Sequence, residues 1–189
     1  MREIYYATSN HGKFEEVRNF LADHAPHITL TQYAVELSEI QTLDQKVIAI
    51  DKAKQAWHAL QKPVIVDDAG IYFDKYHQFP GTLSKYVFEG IGYEGFFKLV
   101  DPGDAASFLV TVVYCAGPDN IHVFEASNHG RIIHPRGDGP KSLPFLRIFA
   151  PHDNELSFAE LRNTPWWPKY NCRLHAVQQF VDWIEKNNR

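Results

Sequence analysis

Apolar residues switch between two spacings along this chain, and the switches divide it into strands and helices. Ile4-Tyr5-Tyr6-Ala7 predicts a short buried strand, and Thr8-Ser9-Asn10-His11-Gly12 after it is turn chemistry. The spacing then lengthens. Phe14, Val17, Phe20 and Leu21 predict a helix, with Glu15 and Glu16 in its first turn, where carboxylates suit the helix dipole. A second helix is predicted over residues 44–60, its apolar face made by Val47, Ile50, Ala53, Trp57 and Leu60, with Lys52 and Lys54 off that stripe. Pro63 ends it, and Val64-Ile65-Val66 reads as a strand buried on both faces, with Asp67 and Asp68 at its carboxyl end.

Farther on, residues 71–73 predict another strand, Phe79-Pro80-Gly81-Thr82 a turn, and Tyr93, Phe96, Phe97 and Val100 a short amphipathic helix. Three runs, residues 107–115, 121–127 and 130–134, are separated by turn-forming residues and predict an antiparallel meander. Residues 135–168 are irregular in composition, and a last helix buries Leu174, Val177, Phe180, Val181 and Ile184. Helices beside strands that pair in both directions predict an α/β fold with a mixed, twisted sheet. A chain of 189 residues is long enough for one sizeable core and short for two ordinary domains, so residues 1–189 are read as one domain.

Charge narrows the function. Lysine and arginine number 19 against 23 aspartates and glutamates, so there is no broad basic field to draw in a nucleic acid polymer, and any anion site is local. Two cysteines, Cys115 and Cys172, are too few for a disulfide framework and suit a reducing compartment. No apolar run approaches the roughly 20 residues that span a bilayer, and the first residues lack the pattern of a secretory signal. A cytoplasmic protein with no membrane partner is expected. The histidines show no HExxH pair and no GxSxG elbow is present, which argues against a catalytic zinc or a serine hydrolase.

The candidate chemistry lies at strand ends. Residues 8–13 set hydroxyls, an amide, a glycine and Lys13 between a strand and a helix amino terminus, a composition suited to phosphate oxygens. It is not a Walker loop, because Phe14 follows Lys13. A capped helix followed by a surface lysine has the same composition. Asp67-Asp68 offers adjacent carboxylates on opposite sides of a strand, oxygen ligands of the kind Mg2+ prefers when a polyphosphate supplies the rest. Glu39 is a possible second metal ligand, and Lys52 and Lys85 are possible phosphate contacts.

Taken in order, these pieces resemble the inosine triphosphate pyrophosphatase family, also called the Ham1 family. Thr8-Ser9-Asn10-His11-Gly12-Lys13 followed by glutamates is similar to its opening signature, Thr-x-Asn-x-x-Lys. Glu39, Lys52-Ala53, Val64-Ile65-Val66-Asp67-Asp68 and Pro80-Gly81-Thr82-Leu83-Ser84-Lys85 match its next motifs. Gly130-Arg131-Ile132, Pro135-Arg136-Gly137 and Phe158-Ala159-Glu160-Leu161 look like its later ones. The resemblance implies an elongated, two-lobed α/β fold with a central cleft, a homodimer, and hydrolysis of non-canonical purine nucleotides to monophosphate and pyrophosphate. It assigns Asp68 as metal ligand and general base, and Glu39 as the other metal ligand for Mg2+. Thr8, Ser9, Asn10, His11, Gly12, Lys13, Lys52, Asp67, Ala69, Lys85, Phe145 and Arg173 are its implied substrate contacts.

The chain departs from the family where the base is read. Its Phe-Gly-aromatic-Asp-Pro segment falls at Ser142-Leu143-Pro144-Phe145-Leu146, without the glycine and aspartate, and its Ser-His-Arg falls at Asn171-Cys172-Arg173. Ala69 stands where a small hydroxyl residue is usual, and Trp167 where a lysine is, unless Lys169 replaces it. The expectation is an active pyrophosphatase with altered base choice, in which Trp166, Trp167, Phe145 and Tyr170 form an aromatic clamp or merely pack. The alternative is a catalytically silent nucleotide-binding protein.

Overall fold

In the computed structural model, residues 1–77, 79–139 and 144–187 are described. The chain order is β1 (Arg2–Ala7), α1 (His11–His24), β2 (Ile28–Tyr33), α2 (Gln45–Leu60), β3 (Val64–Phe73), β4 (Phe79–Gly81) and α3 (Ser84–Leu99). Then follow β5 (Ala105–Gly117), β6 (Asn120–Ile132), β7 (Phe149–Pro151), α4 (Phe158–Leu161), α5 (Trp167–Tyr170) and α6 (Cys172–Asn187). The strands make a seven-stranded mixed sheet in the order β2-β1-β3-β5-β6-β7, with β4 paired to β3. β1 lies parallel to β2 and to β3, while β4 on β3 and β7 on β6 are antiparallel. The expected mixed α/β fold is what forms. Among the described residues no helix is long and apolar enough to cross a membrane.

The chain divides into two compact units. One comprises Met1–Asp68, Val110–Ala126 and Arg173 onward; the other comprises Ala69–Leu109 and Ser127–Cys172. In the first, small residues of α2 pack close to the sheet: Ala49, Ala53 and Ala56 lie against Val64, Val66, Val113 and Cys115. This rotates α2 away from the face that periodicity alone suggests. Val47 is 43% exposed, and Ile50, Trp57 and Leu60 flank the core rather than fill it. Three alanines let the helix backbone approach the sheet more closely than bulky residues would. α6 buries Leu174, Val177, Phe180, Val181 and Ile184 as expected, each worth about 1.5–3 kcal/mol relative to exposure.

The second unit is held by aromatic rings. Phe96 packs edge-on against Phe73 and Phe88, and Phe149 and Phe158 pack edge-on against each other beside Phe108. α3 begins at Ser84, well before the predicted Tyr93, and contains Gly92 in a left-handed conformation that breaks the periodicity a sequence reader follows. The irregular stretch 135–168 contains β7, α4 with a Ser157–Glu160 capping box, and the first residues of α5.

Three other expectations are corrected. β2 went unpredicted because Ile28-Thr29-Leu30-Thr31-Gln32-Tyr33 is short and mostly half-exposed. β3 does not stop at the acidic pair but continues to Phe73, so Asp67 and Asp68 sit in mid-strand. The three meander strands are two long ones, β5 and β6, joined by Pro118-Asp119, and β6 runs straight through Asn128-His129-Gly130. Gly130 is there for close approach rather than for a turn, since a Cβ on it would collide with the Ala150 carbonyl oxygen of β7. Gly130→Ala is therefore expected to destabilise the protein by about 1–3 kcal/mol, read from urea unfolding; an unchanged midpoint would refute the close approach.

Candidate active site

Strand alternation sends the side chains of Asp67 and Asp68 to different surroundings. Asp67 is almost fully enclosed, with 2% of its side chain exposed. It accepts a hydrogen bond from the Tyr6 hydroxyl at 2.6 Å, from Lys13 Nζ at 2.9 Å and from Arg173 Nε at 3.0 Å. Arg173 Nη1 continues to Glu16 Oε2 at 2.8 Å. One carboxylate thus ties together β1, α1, β3 and α6. Burial pushes its carboxyl up, but the charges of Lys13 and Arg173 outweigh burial and hold it well below the usual carboxylate range. Arg173 is pulled down by burial and raised further by Asp67, Tyr6 and Glu16, so it stays charged.

Asp68 faces α2. Its Oδ1 lies 3.2 Å from Lys52 Nζ, and the same ammonium donates to Glu39 Oε1 at 2.9 Å. Burial is the dominant influence on Asp68 and raises its carboxyl above the usual value against the pull of Lys52 and Lys13. For Lys52, burial lowers the ammonium but Asp68 and Glu39 outweigh it, leaving it raised. Two adjacent carboxylates are therefore driven in opposite directions, one fixed as an anion and one made more basic, the pattern that separates structural from acid–base roles.

The loop before α1 has its own internal order. Asn10 caps the helix by accepting from Lys13 N at 3.1 Å, and the Thr8 hydroxyl accepts from Asn10 N at 3.1 Å. These two side chains shape the loop. Ser9, His11 and Gly12 are exposed at the amino end of a 14-residue helix, where main-chain N–H groups and the helix dipole favour an anion. Glu15 and Glu16 fall beyond the first turn, because the helix begins at His11 rather than nearer Phe14. Glu16 serves Arg173 instead.

Of the residues assigned by motif, Thr8, Asn10, Lys13, Glu39, Lys52, Asp67, Asp68 and Arg173 belong to the first unit, together with exposed Ser9, His11 and Gly12. Ala69, Lys85 and Phe145 belong to the second. Lys85 is exposed at the start of α3, above the Tyr86 ring, and Ala69 is half-buried. Phe145 is 8% exposed, and its ring packs against Phe88 and Phe96. Ser142 and Leu143, the rest of that segment before Pro144, lie outside the described residues. Among the other aromatic residues, Tyr170 is buried, Trp167 packs on Phe158, and Trp166 is 67% exposed. Lys169 pairs with Asp153 at 2.6 Å, yet both are over half exposed, and such surface pairs contribute only about 0–1 kcal/mol.

Sequence reasoning missed Tyr6, Gln45 and the structural use of Glu16. Tyr6 was legible in principle, because a tyrosine alternating with Ile4 on a buried strand face must find a partner for its hydroxyl. Glu39 and Asp68 are oxygen donors of the type a hard divalent cation takes, and they already share one positive charge, that of Lys52. Among the described residues no group of three or more histidine, cysteine, aspartate or glutamate side chains stands ready for a metal, so a cation here would draw its other ligands from water and phosphate.

A model of the Ham1 family matches residues 4–183. The dITP/XTP pyrophosphatase of Methanopyrus kandleri is 31% identical over 188 residues, covering 98% of this chain and 97% of its own. The inosine triphosphate pyrophosphatase of Saccharomyces cerevisiae is 32% identical over 195 residues, covering 98% of each. Among solved structures, a HAM1 protein from Coxiella burnetii has the same fold, with a TM-score of 0.78 at 21% identity over 98% of this chain and 100% of that one.

The Asp67 network makes an acid-stability prediction. Folding lowers this carboxyl below its unfolded value of about 4, so its stabilisation is complete above that pH and is lost as the pH falls. Asp67→Asn should cost about 3 kcal/mol near neutrality, less than a lone buried charge would because Glu16 still faces Arg173. In urea titrations the gap between wild type and variant should narrow below about pH 4; a gap independent of pH would contradict the network.

Proposed function

Because the chain belongs to the Ham1 family, we propose that it is a Mg2+-dependent hydrolase that cleaves a non-canonical nucleoside triphosphate to the monophosphate and pyrophosphate, with altered base choice. The observation that carries the reading is the grouping of Glu39, Lys52 and Asp68, with Lys13 held on the neighbouring carboxylate. Phosphoryl and nucleotidyl transfer depend chiefly on positioning and on neutralising charge at the phosphate oxygens. Lys13 and Lys52 supply that charge, and the exposed main chain of residues 9, 11 and 12 receives phosphate oxygens. Asp68 accepts the proton of the attacking water as general base, its carboxyl made more basic by burial. Glu39 and Asp68 would hold Mg2+, which when bound polarises the phosphate and offsets its negative charge. Lys85 keeps a phosphate role on the strength of its motif.

The altered base choice is supported by what replaces the family's base-reading groups. The glycine and aspartate of the base segment are missing, and Asn171-Cys172 stands where Ser-His is usual, ahead of the retained Arg173. Losing a polar group that reads a base edge removes the strongest source of discrimination. A cytoplasmic site and a homodimer belong to the same proposal; the two free buried cysteines fit a reducing compartment.

The test is a panel of nucleoside triphosphates, inosine, xanthosine and modified pyrimidine forms included, incubated with Mg2+. Pyrophosphate should be released with little orthophosphate, and more evenly across bases than strict purine selectivity allows. If some nucleotides bind and none is cleaved, the silent-binder alternative holds instead. Chelation with EDTA should abolish release and added Mg2+ restore it, with the melting temperature of the nucleotide-free protein unmoved; full activity after exhaustive chelation would remove the metal from the proposal.

A further inference from the structure

Gln45 is the first residue of α2 and, at 3% exposure, carries a carboxamide into the interior. Its Nε2 donates to the Asp68 main-chain oxygen at 3.0 Å and contacts Thr111 Oγ1 at 3.2 Å. Thr111, fully buried on β5, donates to Glu125 Oε1 on β6 at 3.1 Å. Glu125 Oε2 meets Lys46 Nζ at 3.0 Å, one residue along α2 from Gln45. These contacts close a ring from α2 through β5 and β6 back to α2, and the Asp68 carbonyl is fastened to it.

Two more observations connect the ring to Asp68. Gln45 and Lys52 are seven residues apart, about two turns on the same side of α2, so one side of one helix holds Asp68 by its main chain and by its carboxylate. β1 ends at Ala7, and its last register pair with β3 is Tyr6↔Ile65, so Asp68 lies beyond the stretch that β1 braces. Stability alone does not account for polar groups at this depth. Gln45 lies on a helix whose other core positions are Ile48, Ala49, Ala53 and Ala56, and replacing both members of a buried polar pair by apolar groups of similar shape is commonly neutral or stabilising.

We infer that Gln45, held by the ring of Thr111, Glu125 and Lys46, is a positioning residue for Asp68 that fixes the carboxylate against the attacking water. This rests on the reading of Asp68 as general base. Small errors in the placement of a base lower turnover more than binding. The experiment compares wild type, Gln45→Met and the double variant Gln45→Met/Thr111→Val, using Mg2+ and the nucleotide cleaved fastest in the panel, with melting temperatures measured in parallel. Gln45→Met should lower kcat about tenfold with KM within about twofold, and the double variant should melt at or above wild type while its kcat stays low. Unchanged kcat in a folded Gln45→Met protein overturns the inference and leaves the hydrolase reading intact. A kcat loss that tracks a falling melting temperature in both variants also overturns it, as mere structural damage. If Gln45→Met does not fold, Thr111→Val alone decides: a lower kcat at constant KM supports the inference and an unchanged kcat overturns it. If wild type cleaves no nucleotide, the reading of Asp68 falls and the inference with it.

Discussion

The organisation of the first unit depends on a carboxylate that water hardly reaches. Asp67, mid-strand in β3, satisfies a tyrosine hydroxyl, an ammonium and a guanidinium at once. Such a group is costly to bury alone and costly to disturb once paired, because removing it leaves positive charge without a partner. Its partners lie far apart in sequence, on β1, α1 and α6. The same contact that closes the fold also holds Lys13 at the start of α1 and restrains Arg173 on α6.

The neighbouring residue has the opposite character. Asp68 faces α2 with more of its side chain open, 15% against 2% for Asp67, and its counter-charge is shared with Glu39. A single peptide step along a strand is enough to separate the two environments. In the proposed reaction this division lets one carboxylate stay ionised for architecture while its neighbour takes a proton.

Much of this was legible in the residues. The long final helix, the apolar run before the acidic pair and the mixed sheet follow from periodicity, and the resemblance to the Ham1 motifs brought forward Thr8, Asn10, Lys13, Glu39, Lys52 and Asp68, which the first unit carries together. What was not legible has identifiable causes. The face of α2 was misplaced because three alanines, weak signals on any hydropathy scale, make the closest packing. Gly130 looked like a turn because a glycine needed for close approach and a glycine needed for positive φ are the same letter. The packing of Phe145 was not legible because no local pattern shows that Phe88 and Phe96 converge on it. Gln45 carried no signal, since its partners Asp68 and Thr111 come from two different strands, far from it in sequence.

The central claim is that adjacent carboxylates divide structure from chemistry, and Asp68→Asn tests it most directly. The substitution keeps the shape and one accepting oxygen but removes the charge and the basic oxygen. With melting temperature and pyrophosphate release measured on the same preparation, the account predicts a fold as stable as wild type and turnover lower by at least about a thousandfold, the scale of a lost general base together with a lost metal ligand. An Asp68→Asn protein that still releases pyrophosphate at near wild-type rate, or that loses activity only because it unfolds, would contradict it.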